Sequence, residues 1–253
     1  LNTFIRLVYR NFRANLDPGT LFFEIIFPLF FIFIQGFAFS GIVPPFEVAP
    51  GVVISYPLFL AAGAITFTVV NGGTTAGQQL WFDRKSAMFE QILMGPFTKA
   101  QYILSIIIST ILIGLSGATI VFVLALPVLF GSIVSAVGFL ASGVVLILGS
   151  FFFGSMAIAL SVRLRSAESF QIISTFIFFV FLFTSSIFYP VDRAPGPIQS
   201  VAYANPLTYI ADIFRSGLFG YTTPNLIPEI LALLLESLAM FALAVLSFRR
   251  IRV

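Results

Sequence analysis

The sequence predicts an all-α membrane protein. It has six transmembrane helices, an interfacial helix at the N-terminal end, a short cytoplasmic helix and a re-entrant outer helical hairpin. Three observations carry that reading. Of 253 residues, 59% are hydrophobic and only 9% charged, and the mean hydropathy is +1.07; soluble domains carry about 25% charged residues, so this chain has too few charges to cover a water-facing surface. Windows of roughly 19 residues, the length that crosses about 30 Å of hydrocarbon, find six apolar runs at 21–40, 52–80, 101–129, 138–162, 170–189 and 226–248. The basic residues then alternate between connections. Arg6, Arg10, Arg13, Arg84, Lys85, Lys99, Arg163, Arg165, Arg249, Arg250 and Arg252 account for 11 of 13, and the other side has only Arg193 and Arg215. Positive-inside bias puts both termini in the cytoplasm.

Composition also excludes. There is no cysteine and no histidine, which removes disulfides, Cys/His zinc sites, imidazole acid–base catalysis and Ser-His or Cys-His nucleophiles. The net charge of +3 and pI near 9.5 reflect loop topology rather than nucleic-acid binding. The runs lack two-residue alternation, which argues against a β-barrel, and no repeat or low-complexity linker divides residues 1–253 into more than one domain.

Residues 1–18 form the interfacial helix, with Leu1, Ile5, Val8 and Phe12 on one stripe and Arg6, Arg10 and Arg13 on another. Such a helix grips anionic headgroups, or simply supplies the basic flank that sets topology. It does not read as a signal peptide, and Asp17-Pro18-Gly19 breaks it before span one. Spans two and three exceed what a crossing needs, so they tilt or project into water. Span two carries Thr66, Thr68, Asn71, Thr74, Thr75 and Gln78, with Gly73 and Gly77 permitting close helix approach. Span four is rich in glycine, which lipid-embedded helices tolerate. Span five carries Phe176, Phe179 and Phe183 along one stripe. For any single one of these residues the simpler reading is favoured, ordinary helix packing for the polar ones and lipid contact for the phenylalanines. Ionisable groups within spans are few: Glu24 near the cytoplasmic start of span one, Glu229 near the outer start of span six, and Glu236 well inside span six, facing other helices.

Two connections stand apart. The helix at 82–94 ends at Gly95-Pro96; Met88, Phe89, Ile92 and Leu93 form an apolar knob ringed by Asp83, Arg84, Lys85 and Glu90. Such a knob fills a groove on a partner, or rests on lipid. The connection 190–220 holds two amphipathic pieces, about 197–204 and 207–219, on either side of Asn205-Pro206, with Asp212 and Arg215 spaced to pair. Neither piece spans a bilayer, so the pair dips into the outer leaflet against protein. The phosphate-cradling pattern G-x-x-x-x-G-K-[ST] is absent, so uphill transport would draw on a partner or an ion gradient.

Over essentially its whole length the chain resembles the permease subunits of type-2 ABC exporters. The stretch 85–96, with Phe89-Glu90 and Leu93 leading to Gly95-Pro96, is similar to that family's coupling helix. Phe188-Tyr189-Pro190, Pro195, Asn205-Pro206-Leu207-Thr208-Tyr209 and Arg215 with Gly217 and Gly220 resemble its C-terminal signature, with Ser185 or Ser186 where the family carries glycine. The resemblance implies that Arg84, Lys85, Met88, Phe89, Glu90, Leu93 and Pro96 couple to a separate ATPase. It implies a translocation path between two permeases, lined by spans two and five; Asn71, Thr75, Gln78, Phe179 and Phe183 are its candidates here. Pro190, Pro195, Asn205, Pro206, Asp212 and Arg215 would build the hairpin. It implies no catalytic, cofactor or metal site in this chain, with ATP and Mg held by two copies of the ATPase. The remaining partners would be a second permease, identical or related, and lipid of the cell membrane. The cargo would be amphipathic, drug-like or lipid-linked. The rival readings are a gradient-driven carrier or channel using Glu236, and a structural membrane subunit that transports nothing.

Overall fold

A computed structural model describes residues 3–16, 18–132, 136–223 and 225–249. Leu1, Asp17, Arg250 and Arg252, and the side chains of Leu93 and Arg249, lie outside the described residues. Helix α1 (Thr3–Ala14) leads to α2 (Pro18–Leu29). Pro28 cannot donate a backbone N–H and crowds the preceding turn; the helix widens into a π segment at Phe30–Gln35 and re-forms as α3 (Gly36–Ser40). A two-stranded antiparallel ribbon follows, β1 (Phe46–Ala49) and β2 (Val52–Ile54), turned at Gly51 with φ 78°. Span two, expected from residue 52, therefore starts four residues later, with Pro57 in the first turn of α4 (Tyr56–Lys85).

The helix expected over 82–94 is two pieces. Residues 82–85 complete α4, Ala87 takes a left-handed conformation with φ 55°, and α5 (Met88–Met94) stands alone. Thr98 and Gln101 form a reciprocal capping box that starts α6 (Lys99–Leu129). Helices α7 (Ala136–Arg163) and α8 (Ala167–Phe183) come next. Span five, expected to reach residue 189, stops at Phe183; at 17 residues α8 is shorter than a full crossing, and residues 184–188 fold back on the hairpin segment instead. Among the described residues five helical stretches are long and apolar enough to cross a membrane. The rest is a 3₁₀ turn (Val191–Arg193), α9 (Gly196–Tyr203), α10 (Pro206–Phe219) and α11 (Leu226–Arg249).

Helix α4 is the axis of the bundle. It is the most enclosed of the long helices and packs chiefly against α6 and α7, with α10, α2 and α3 completing its shell. Small residues set these approaches. A Cβ on Gly73 would collide with Phe153 of α7, and one on Gly77 would lie 2.7 Å from the Ala157 carbonyl and against the Phe170 ring. Without a hydrophobic driving force between helices in lipid, such backbone proximity supplies the packing.

Candidate functional site

Helices α1 and α5, the end of α4, the start of α6 and the end of α11 form one connected assembly. Phe89 of α5 is fully buried, edge-on to Tyr102 (5.3 Å) and Phe248 (5.5 Å). The Tyr102 hydroxyl donates to Asp83 Oδ2 at 2.8 Å, and Asp83 takes a two-pronged ion pair from Arg10 of α1, with Nη1 to Oδ2 at 3.0 Å. That charged hydrogen bond raises the Arg10 pKa further above its ordinary value. Beside it the Asn11 amide donates to Ser105 at 2.9 Å, Gln79 donates to Asn11 at 3.0 Å, and Asn15 bonds Gln79. The inward face of α1 is thus Leu7, Arg10, Asn11 and Asn15, while Ile5 of the apolar stripe points outward. Apart from Tyr102–Asp83, 19 residues apart, these bonds join residues 64 or more apart in sequence, so helical periodicity carries no signal for the network.

The knob divides accordingly. Phe89 faces inward and is unavailable to a partner, a correction to the sequence expectation; Met88, Met94 and Phe82 are the exposed apolar groups, Met94 at 80%. Ile92 and Glu90 are half-buried, Lys85 and Pro96 exposed. Arg84 stacks on Trp81 at 5.1 Å and donates to the Ser161 carbonyl at 3.4 Å.

A groove of about 320 Å³ runs between α2, α4 and α8. Asn71, Thr74 and Gln78 form its polar wall with Gln171 and Thr175; Gln78 donates to Gln171 at 3.0 Å and Gln171 to Thr175 at 3.3 Å. The aromatic wall is Phe27 stacked on Phe67 at 5.1 Å, Phe67 edge-on to Phe178, and Phe179. Thr75, expected on this stripe, is buried instead and donates to the Gly72 carbonyl at 2.6 Å; Thr74 takes its place. Phe183 is not a wall of the groove but extends its aromatic edge, stacked between Phe179 (6.0 Å) and Phe188 (5.7 Å).

At the other end the α9–α10 pair closes on Arg215, the largest fully buried side chain among the described residues at 1% exposure. Its guanidinium donates to Asp212 at 2.8 Å, to the carbonyls of Ser186 (2.6 Å), Ile187 (3.2 Å) and Phe59 (3.2 Å), and to the Ser186 hydroxyl at 3.2 Å. It also lies 3.6 Å over the Phe59 ring. Five donors in a rigid fork make such convergence feasible for arginine and not for lysine. Asn205 caps α10 by accepting from Leu207 N–H and donates to the Phe181 carbonyl and Thr184 hydroxyl, tying the pair to the end of α8. Pro206 occupies the first turn of α10, Pro195 precedes α9, and Pro190 precedes the 3₁₀ turn. An open cavity of about 310 Å³ borders this node, with Glu47, Asp192, Arg193 and Glu229 on its walls. Glu236 is half-buried on α11, one carboxylate oxygen lacking a partner among the described residues.

A model of the ABC-2 type transporter family matches residues 3–219. Two similar proteins, each named "Putative transport permease ycf38", come from Pyropia yezoensis and Porphyra purpurea. The first is 28% identical over 207 residues, covering 81% of this chain and 68% of the relative. The second is 28% identical over 201 residues, covering 78% and 67%.

Proposed function

The chain belongs to the ABC-2 type transporter family, and on that footing we propose that it is the permease half of an ATP-driven exporter. Membership makes it a multi-pass membrane transport permease, a membrane subunit rather than a catalytic one, and permeases of this family work with ABC ATPase partners. In the proposed assembly two copies of this chain stand in the cell membrane with cytoplasmic termini, over two ATPase subunits that hold ATP and Mg. A related permease in place of one copy gives the same architecture.

The observation that carries the proposal is the unbroken path from α5 into the spans. Phe89 is wedged between Tyr102 of α6 and Phe248 of α11, and Tyr102 holds Asp83 of α4, which holds Arg10 of α1. A partner that grips the exposed Met88 and Met94 side moves a helix already keyed to four others. Packed interfaces switch between discrete arrangements rather than deforming smoothly, so such a push re-seats helices. The α2–α4–α8 groove is the surface that this motion opens or closes toward a second copy. Its aromatic wall and uncharged amides suit an amphipathic, drug-like or lipid-linked cargo, which leaves on the outer side beside the hairpin.

The test is ATP-dependent movement of a fluorescent amphipathic lipid analogue in proteoliposomes holding the chain and its ATPase. Glu90→Lys should abolish transport and ATPase pull-down without lowering expression, and Glu236→Gln should leave ATP-driven transport intact. Transport that ignores ATP, follows a proton gradient and disappears in Glu236→Gln would instead establish the gradient-driven carrier.

A further inference from the structure

Counted along the sequence, Glu24 sits at the cytoplasmic edge of span one; the packing lifts it to the middle of the bundle. Its carboxyl lies against Gly117 of α6, where an added Cβ would come 2.9 Å from the carboxyl carbon. One turn below, the backbone of Gly114 meets Gly72 of α4, and the Gly114 carbonyl accepts from Thr68 at 3.4 Å. Thr68 and Gly72 occupy the middle of α4, roughly 20 Å from either end at about 1.5 Å per residue. Gly36, three turns beyond Glu24, meets Pro57 and Leu60 at the outer end of α4, which fixes the same depth independently.

At that depth Glu24 is 2% exposed and neither carboxylate oxygen has a partner among the described residues. The helices packed on it offer no counter-charge. Helix α2 has no other ionisable side chain, α4 has Tyr56 at one end and Asp83, Arg84 and Lys85 at the other, and α6 has Lys99 and Tyr102 at its cytoplasmic start. Pro28, four residues on, also withholds the N–H that would have bonded the Glu24 carbonyl. An isolated carboxylate is not sustained in such surroundings; the group takes up a proton.

We propose that Glu24 is a proton-binding site, its carboxyl held as the neutral acid in the Gly117 notch at mid-membrane. Moving α2 away from α6 wets the notch and frees the proton, so that separation and the release of one proton per protomer are one event. The site needs no ATPase to form and goes beyond the exporter reading; failure of either leaves the other standing.

The test uses the full chain in lipid nanodiscs at neutral pH. Infrared spectroscopy should show a protonated-carboxyl C=O band that shifts in deuterated water and disappears in Glu24→Gln. Folding should also weaken as pH rises above the ordinary carboxyl range, because the unfolded chain releases a proton that the fold retains. The Glu24 contribution to that slope, up to tenfold in the folding constant per pH unit, should vanish in the glutamine variant. Gly117→Ala, which intrudes on the carboxyl, should shift or bleach the same band if Glu24→Gln fails to assemble. A band untouched by both variants, or a Glu24 carboxyl ionised at neutral pH, overturns the proposal.

Discussion

Arg215→Met is the perturbation with the most to reveal. Methionine fills much of the arginine stem but supplies no donor. It leaves Asp212 without its cation, and the carbonyls of Ser186, Ile187 and Phe59 lose a donor each. Removing one partner of a buried ion pair costs about 3–5 kcal/mol. Asp212 keeps 29% of its side chain exposed, so water relieves part of its loss and the lower end applies to that term. A stranded buried acceptor adds about 1–3 kcal/mol, and lost contact with the Phe59 face adds about 1 kcal/mol. These contributions overlap, and about 4 kcal/mol is expected, roughly a thousandfold in the folding constant and a large share of a typical domain's 5–15 kcal/mol. Thermal unfolding in detergent, followed by the fluorescence of Trp81, the chain's single tryptophan, measures it. Pairing it with Asp212→Asn removes the orphaned charge, so the double variant should be at least about 1 kcal/mol more stable than the sum of the singles. A single variant within 0.5 kcal/mol of the parent, or strict additivity, would refute this account of the hairpin.

Three further outcomes follow from the packing. Gly77→Ala should cost about 1–3 kcal/mol, since its Cβ meets Phe170 and the Ala157 backbone, and should loosen α8 in limited proteolysis. Phe89→Ala should destabilise the chain by about 3–5 kcal/mol, whereas Met94→Glu should leave the melting point unchanged and weaken only ATPase pull-down. In the cysteine-free chain, single cysteines at Asn71, Thr74 and Gln78 should react with water-soluble thiol reagents or cross-link between protomers in a nucleotide-dependent way, and one at Thr75 should stay inert. Reaction at Thr75 and silence at Thr74 would place the groove on another face of α4.

The long helices were legible because twenty apolar residues in a row have few alternatives, and the Asn205-Pro206 break marked α9 and α10 for the same local reasons that form it. Finer placements depend on neighbours distant in sequence. Around α4, Thr75 lies about 40° from Asn71 toward Gly72, where α6 packs, and Thr74 about 60° to the other side, where α8 leaves the groove. The polar stripe alone cannot choose between them. The apolar spacing of α5 likewise marks Phe89 as one of a set without saying that it turns toward Tyr102. The break at Ala87 uses a residue with no preference for a left-handed backbone, so nothing local announces it. Pro50-Gly51 was a readable turn signal, overridden by the hydrophobicity of the residues after it. The contact of Glu24 with Gly117, more than ninety residues away, likewise leaves no mark in the apolar run that contains it.

Site-specific photo-crosslinking from position 94 shows whether α5 joins these spans to a separate ATPase. With benzoylphenylalanine replacing Met94, 80% exposed at the end of α5, illumination of the purified complex should give one adduct. Peptide mapping should locate it on a subunit carrying a phosphate-binding loop, and its yield should change between the ATP-bound and nucleotide-free states. Adducts confined to lipid, or to this chain itself, while an ATPase is present and active in the same preparation, would mean that α5 does not dock on it.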